Sequence, residues 1–256
     1  MKRLRSIAGR APALLAAAGA AIILILLTAL ADIPSHAEPG MGNSPGLYED
    51  FNELEQWEGL YFPKIKEHSS YSTGSAGGTT YLIANSSASA SALVLKREID
   101  VYGTPRIIWR WKVGGVYEKG NLRTKEGDDS PLRVYVMFEY DPERAGAGMR
   151  LKYAIAKAIY GQYPPHASLN YLWASSVPEG TELRSAYTER SGMIVMRSGP
   201  SRAGQWITEE ADMVEDYRRV FGEDPPRRAR LAVMNDSDNT GEASVSYMDF
   251  IKISSP

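Results

Sequence analysis

Arg106-Ile-Ile-Trp-Arg-Trp-Lys-Val113 and Arg133-Val-Tyr-Val-Met-Phe-Glu-Tyr140 decide the fold of this 256-residue chain. In the first stretch Ile107, Trp109, Trp111 and Val113 recur at every second position, with Arg106, Arg110 and Lys112 largely filling the other set. In the second, Val134, Val136, Phe138 and Tyr140 alternate with Arg133, Tyr135, Met137 and Glu139. Period two is the period of a strand, whose successive side chains point to opposite faces of a sheet. The same pattern predicts strands over 79–84, 90–99, 192–197, 229–234 and 244–253. Turn-forming clusters separate them at short spacing: Gly77-Gly78, Gly103-Thr104-Pro105, Gly114-Gly115 and Gly199-Pro200. Many short strands with such punctuation predict a mainly β protein, an antiparallel β-sandwich of jelly-roll type.

Two helices interrupt the alternation. In 149–160, Leu151, Ile155, Ala158 and Ile159 share one face, and Gly161 stops the run. In 209–221, Thr208 is the expected N-cap and Glu209, Glu210 and Asp212 fill the first turn; Met213, Val214, Tyr217, Val220 and Phe221 form the face to be buried. Both are expected at the periphery, covering an edge or an open end of the sheets.

The first 37 residues read as an export signal: Lys2, Arg3, Arg5 and Arg10, an apolar run from Ala11 to Ala31, and a small-x-small site at Ser35-His36-Ala37. The run is also long enough to span a bilayer as an uncleaved anchor. Either way the rest of the chain is expected outside the cytoplasm, in the periplasm or at the cell surface. Residues 38–46, rich in Pro, Gly, Ser and Asn, read as a flexible lead-in, and 47–256 as a single domain. Without 1–37 the formal balance is 25 Lys+Arg against 30 Asp+Glu, a charge of −5. That leaves no electrostatic footprint for nucleic acid. It limits membrane contact to the N-terminal segment, and leaves glycans, other envelope components, cations or proteins as partners. The chain has no cysteine, so disulfides, thiolate metal sites and Cys nucleophiles are excluded.

P-loop, G-x-S-x-G and H-E-x-x-H signatures are all absent. What remains is acidic and aromatic. Asp236-Ser-Asp238-Asn239-Thr-Gly241 has the alternating oxygens and the glycine of a calcium loop, but Tyr247 stands where an EF-hand needs its bidentate Glu. The loop therefore reads either as an Asx-rich β-turn or as a structural calcium site of another kind, with Asp236 and Asp238 as ligands and Asp249 or Glu242 as a further oxygen donor. Gly127-Asp128-Asp129-Ser130-Pro131 is a second acidic loop, with Arg133 as the nearest partner. Asp249 lies on an apolar stripe, where a bulge, a bond or a metal must account for it. Asn170-Tyr171-Leu172-Trp173 reads either as core or as a sugar-stacking platform.

Taken in order, Trp109-x-Trp111-x-Val113, Gly127-Asp128-Asp129, Arg133-Val134-Tyr135-Val136-x-Phe138, Tyr171-x-Trp173, Trp206, Asp216-Tyr217 and Asp236-x-Asp238-Asn239-Thr240 resemble a family of exported bacterial proteins known as a domain of unknown function. The resemblance runs from about Tyr48 to Ile253 and implies one domain with an extracytoplasmic site, without assigning any residue a role. Glu49-Asp50-Phe51 and Tyr247-Met248-Asp249-Phe250 also resemble the opening and closing strands of jelly-roll carbohydrate-binding modules, whose paired acids hold a structural calcium. The expected function is a non-catalytic binding domain for a glycan or envelope component, with Asp128, Asp129, Arg133, Tyr171, Trp173, Asp236, Asp238 and Asn239 as its ligand-binding residues. One alternative is a carbohydrate-active hydrolase or lyase, pairing Asp128 or Asp129 with Asp236 or Asp238. Another is a structural envelope protein, which would carry a large exposed apolar patch.

Overall fold

The computed structural model describes residues 46–62, 64–143, 145–160 and 163–256. The export-signal reading of 1–37, and all but the last residue of the lead-in, lie outside them. Thirteen strands among the described residues form two sheets. The first contains β1 (Leu47–Glu49), β3 (Ser70–Ala76), β4 (Thr79–Ser87), β6 (Arg106–Val113), β11 (Ile207–Asp212) and β13 (Ala243–Ser254). Its order is β11-β6-β13-β4-β3, with β1 also paired to β13. The second runs β2-β5-β12-β7-β8-β10-β9. Its strands are β2 (Trp57–Leu60), β5 (Ala90–Asp100), β7 (Arg133–Phe138), β8 (Ala167–Ala174), β9 (Glu182–Ser185), β10 (Thr188–Ser198) and β12 (Arg228–Asp236). Pairing is antiparallel except between β8 and β10, which run parallel. The sandwich is thus as the alternation predicts, with one parallel pair added.

The alternating residues meet between the sheets. Ile107, Trp109, Trp111 and Val113 from β6 face Val134, Val136 and Phe138 from β7 and Leu169, Tyr171 and Trp173 from β8, all fully buried. Trp109 packs edge-on to Trp111, with ring centroids 5.6 Å apart, and Trp111 lies 6.0 Å from Trp173. The platform reading of Asn170–Trp173 is corrected here. Both rings point into the sandwich, and at 0% exposure neither offers a face to a ligand.

The second sheet is covered on its outer face as well. Leu60 and Phe62 lie over Ala90, Ala92, Val94, Met137, Ala232 and Met234 at one end. Leu122 and Val177 lie over Leu172, Ala174, Met193 and Val195 at the other. Central strands buried on both faces carry apolar residues at odd and even positions alike. The polar side of the alternation at Arg133, Tyr135 and Met137 is therefore the floor of a second, outer layer.

The helices depart from expectation. Helix α1 (Ala147–Tyr160) forms, but its apolar face is turned outward: Leu151 is 64% and Ile155 52% exposed, and Ala158 is exposed too. Tyr153, on the opposite face, makes the anchor, stacked on Tyr140 at 3.8 Å with its hydroxyl donating to the Pro165 carbonyl at 3.2 Å. Helix α2 spans only Met213–Phe221. Thr208, Glu209 and Glu210 belong to β11, paired with β6, so Thr208 is no cap. Glu209 imitates a helical first turn in sequence, but its carboxylate accepts from Arg197 Nε at 2.7 Å and from the Trp111 indole at 3.3 Å. The cap is Asp212, whose Oδ1 accepts from the Val214 and Glu215 amides at 2.9 Å each. Gly222 closes the helix at φ 71°, a left-handed conformation that favours glycine. We expect Asp212→Ala to cost about 1 kcal/mol in a denaturant melt. No loss would mean that packing alone holds this turn.

Candidate functional site

The outer face of the seven-stranded sheet is not covered throughout. Over the first of its two apolar patches, and reaching Met193 of the second, lies an open cleft with about 870 Å³ of empty space including its open mouth. Small residues make the room: Ala90 and Ala92 on β5 and Ala232 on β12. Met137, Met193, Met234, Phe62 and Tyr135 form the walls. One end is polar, lined by Asp128, Arg133, Ser185, Tyr187, Asp236, Asp238 and Asn239.

That end is built by two loops joined through one guanidinium. Arg133 opens β7 and Asp236 closes β12; Met234 is the register partner of Arg133, which places the two ends side by side. Arg133 Nε and Nη2 donate to the two Asp236 oxygens at 3.0 and 2.9 Å. Its Nη1 and Nη2 donate to Asp128 Oδ1 at 3.1 Å each, and Nη2 also to the Asp128 carbonyl at 2.7 Å. Such a planar fork suits arginine and no other cation. Asp129 turns away from the cleft and organises the second loop, accepting from the Asn239 amide at 3.3 Å and the Thr240 amide at 2.6 Å. The Ser130 amide donates to Asp236 Oδ1 at 3.2 Å.

Charge in this cluster is costly because it is buried. Burial pushes the Asp236 carboxyl upward, and the Arg133 fork opposes it. Burial also works against the charge on Arg133, but the surrounding carboxylates hold it firmly protonated. Among the described residues no cation pairs directly with Asp238, and Arg133 opposes its rise only from a distance. Burial first, then the nearby Asp129, raise it to about 6. Its folded value thus lies above the unfolded one, so the stability it contributes is present below about pH 4 and is lost as pH rises through about 6. We expect Asp238→Asn to remove that loss, so that the variant gains on the parent between pH 4 and 7 in thermal melts. Parallel profiles would show that Asp238 is solvated.

Of the residues picked from sequence, the structure brings together Asp128, Asp129, Arg133, Asp236, Asp238 and Asn239, but not Tyr171 or Trp173. Asp249 is not part of the cluster either. It sits at a bulge in β13, on the other sheet, and accepts from Arg110 Nη1 at 2.8 Å. Glu49 accepts from the Trp57 indole and Asp50 from Asn52, so these acids face three different partners rather than one ion. Asp129, Asp236 and Asp238 do bring one oxygen each within 4.8 Å of the others. Calcium takes six to eight oxygens, and here Asp236 serves Arg133 while Asp129 serves two amides. The expected ligand set of Asp236, Asp238 and Asp249 is thus not brought together, and Asp129 stands beside Asp236 and Asp238 in place of Asp249.

Tyr187, Ser185, Tyr135 and the three methionines were not singled out by sequence. The Tyr187 hydroxyl donates to the Lys125 carbonyl at 2.9 Å and lies 3.3 Å from Asn239 Oδ1; the Ser185 hydroxyl donates to Asp128 Oδ2 at 3.3 Å. The available signal was the apolar and small residues on the second face of β5, β7 and β12.

A family model described as "Protein of unknown function (DUF3047)" matches residues 55–252. No curated protein matches the chain. Among solved structures, a family 11 carbohydrate-binding module from Clostridium thermocellum is similar, with 10% identity, TM-score 0.36, and coverage of 81% of this chain and 93% of that one. A Crh5 transglycosylase solved with NAG gives 10% identity and TM-score 0.42, with 83% and 85% covered. The K1 cleaved adhesin domain of Lys-gingipain from Porphyromonas gingivalis gives 7% identity and TM-score 0.37, with 83% and 99% covered.

Proposed function

For this chain, which belongs to the DUF3047 family, we propose a non-catalytic binding role outside the cytoplasm, with a glycan or other hydroxyl-rich envelope component as ligand. The observation that carries it is the open cleft, with apolar walls along its length and hydrogen-bonding groups gathered at one end. Ligand sites combine an apolar lining with a few fixed polar groups. Sugar C–H faces can lie against Tyr135, Tyr187 and the methionines, while hydroxyls donate to Asp238 and Asp128. A panel of envelope and plant polysaccharides, scored by the melting temperature of the full chain, tests this. A ligand that binds only the folded state raises stability by about 2.7 kcal/mol at a hundred times its dissociation constant. We expect Thr188→Trp, in the cleft lining, to abolish the shift while lowering the unliganded melt only by the worth of the one lost hydrogen bond from the Arg190 amide, roughly 1 kcal/mol. An unaltered shift would place the ligand elsewhere.

Hydrolysis by paired carboxylates is the second reading, favoured by one observation: the two acidic loops adjoin. Two reacting carboxyl groups must both reach the substrate, however. Asp129 is fully buried and spent on backbone amides, while Asp128 and Asp236 are held by Arg133. Among the described acids that line the cleft, Asp238 is the one without an ion pair. We therefore favour binding, and release of reducing ends from a bound glycan would reverse the choice.

A further inference from the structure

Helix α1 presents its apolar face to solvent, with basic residues at its edges. Each helical residue turns by roughly 100°, so Leu151 and Ile155 lie about 40° apart and Tyr153 about 160° from both. Tyr153 is the side chain that fastens the helix to the protein, through Tyr140 and Pro165. The face directly opposite is therefore apolar: Leu151, Ala154, Ile155 and Ala158, all exposed. Exposed basic residues stand at its two edges, Arg150 on one side and Lys152 on the other, each about 100° from Leu151, while Lys157 lies about 40° from Tyr153. No acid occurs within 147–160, although acids outnumber bases in the chain as a whole. Arg150 is held at the first turn by the Ala145 and Glu143 carbonyls, at 2.7 and 3.1 Å. Lys157 lies over the Tyr163 ring, 4.5 Å from its centroid. The acids nearest in sequence, Asp141 and Glu143, precede the helix, and Glu223 and Asp224 share a cavity with Met149, which lies about 40° from Tyr153 and away from the apolar face.

An apolar stripe edged by cations is how a helix lies in the surface of an anionic bilayer. A protein partner for a basic rim would need acids around an apolar groove, whereas a lipid surface supplies hydrocarbon beneath a continuous layer of negative charge. Fourteen residues are too few to span a membrane, and no helix among the described residues is long and apolar enough to do so. We propose that α1 is a surface-docking helix, which seats Leu151 and Ile155 at the headgroup–acyl boundary of anionic lipid, a local contact that the overall charge of −5 without residues 1–37, which points to membrane contact through the N-terminal segment alone, does not reveal. This is independent of the cleft and its ligand.

The absence of cysteine provides the experiment. A single Ile155→Cys in the full chain, labelled with an environment-sensitive fluorophore, reports on this helix even if residues 1–37 also bind lipid. With phosphatidylglycerol-containing vesicles we expect a blue shift and increased emission at 155, and quenching by lipid-borne spin labels. Phosphatidylcholine vesicles should produce neither, nor should the same label at Thr79, on a hairpin of the other sheet. Each basic residue near an anionic surface is worth about fivefold in binding, so Lys152→Glu should raise the lipid needed for half the signal by roughly fivefold or more. No change at 155 with anionic vesicles overturns the proposal. So does an equal response to both lipids, or a concentration-dependent shift without lipid, which would mean self-association.

Discussion

Arg133→Met should destabilise the protein by about 3–5 kcal/mol, the cost of removing one partner from a buried ion pair. Total stabilities of domains this size are of order 5–15 kcal/mol, so the change could approach the whole margin. The size follows from what is left behind. Asp236 loses both fork hydrogen bonds, Asp128 loses its cation, and both are over nine-tenths buried. Water does not reach them easily, so their desolvation goes uncompensated. The pH dependence separates this cause from simple loss of packing. Without Arg133 the carboxyl of Asp236 is raised further above its unfolded value, so the lost stability returns as pH falls towards about 4, the unfolded carboxylate range. Urea melts of parent and variant at pH 4, 5, 6 and 7 should show a deficit that shrinks on acidification. Arg133→Lys should fall in between, since an ammonium keeps the charge but cannot form the fork. A deficit below about 1 kcal/mol, flat with pH, would mean that the cluster is solvated and behaves like a surface pair.

The legible parts of this fold were those governed by one interaction at a time. Trp109 and Trp111 had to face a core because alternation allowed nothing else, and the sandwich follows from that pattern repeated. Glu209 misled because its sequence position suits a helix while its actual partners, Arg197 and Trp111, are distant in sequence. Leu151 and Ile155 misled for the opposite reason: periodicity locates an apolar face without saying what it meets. The acidic loops were visible as loops, but only the pairing of β7 with β12 brings Arg133 to Asp236. Asp249 shows the same limit, since an acid on an apolar stripe signals a partner and Arg110 is one that spacing could not choose. The cleft itself arises from small side chains at Ala90, Ala92 and Ala232 on two strands, a shape property that no local motif encodes.

Trp173→Ala should also cost about 3–5 kcal/mol, as large-to-small changes of buried aromatics do, and it separates the inner layer from the outer one. The ring is fully buried between the sheets, tilted against Trp111, and its Nε1 donates to the Gly199 carbonyl at 3.0 Å. Truncation opens a cavity beside Trp111 and leaves the half-buried Gly199 carbonyl without its donor. Trp173→Phe keeps much of the volume and should lose less. The neighbours of Trp173 along β8, Leu172 and Ala174, face the other way, into the outer layer. If binding takes place in the cleft, the folded fraction of Trp173→Ala should therefore keep its ligand affinity, even while its melting temperature falls. Calorimetric titration well below the transition measures the one, and a thermal melt the other. Loss of affinity at unchanged stability would return Trp173 to the ligand and move the site from the outer face to the interior.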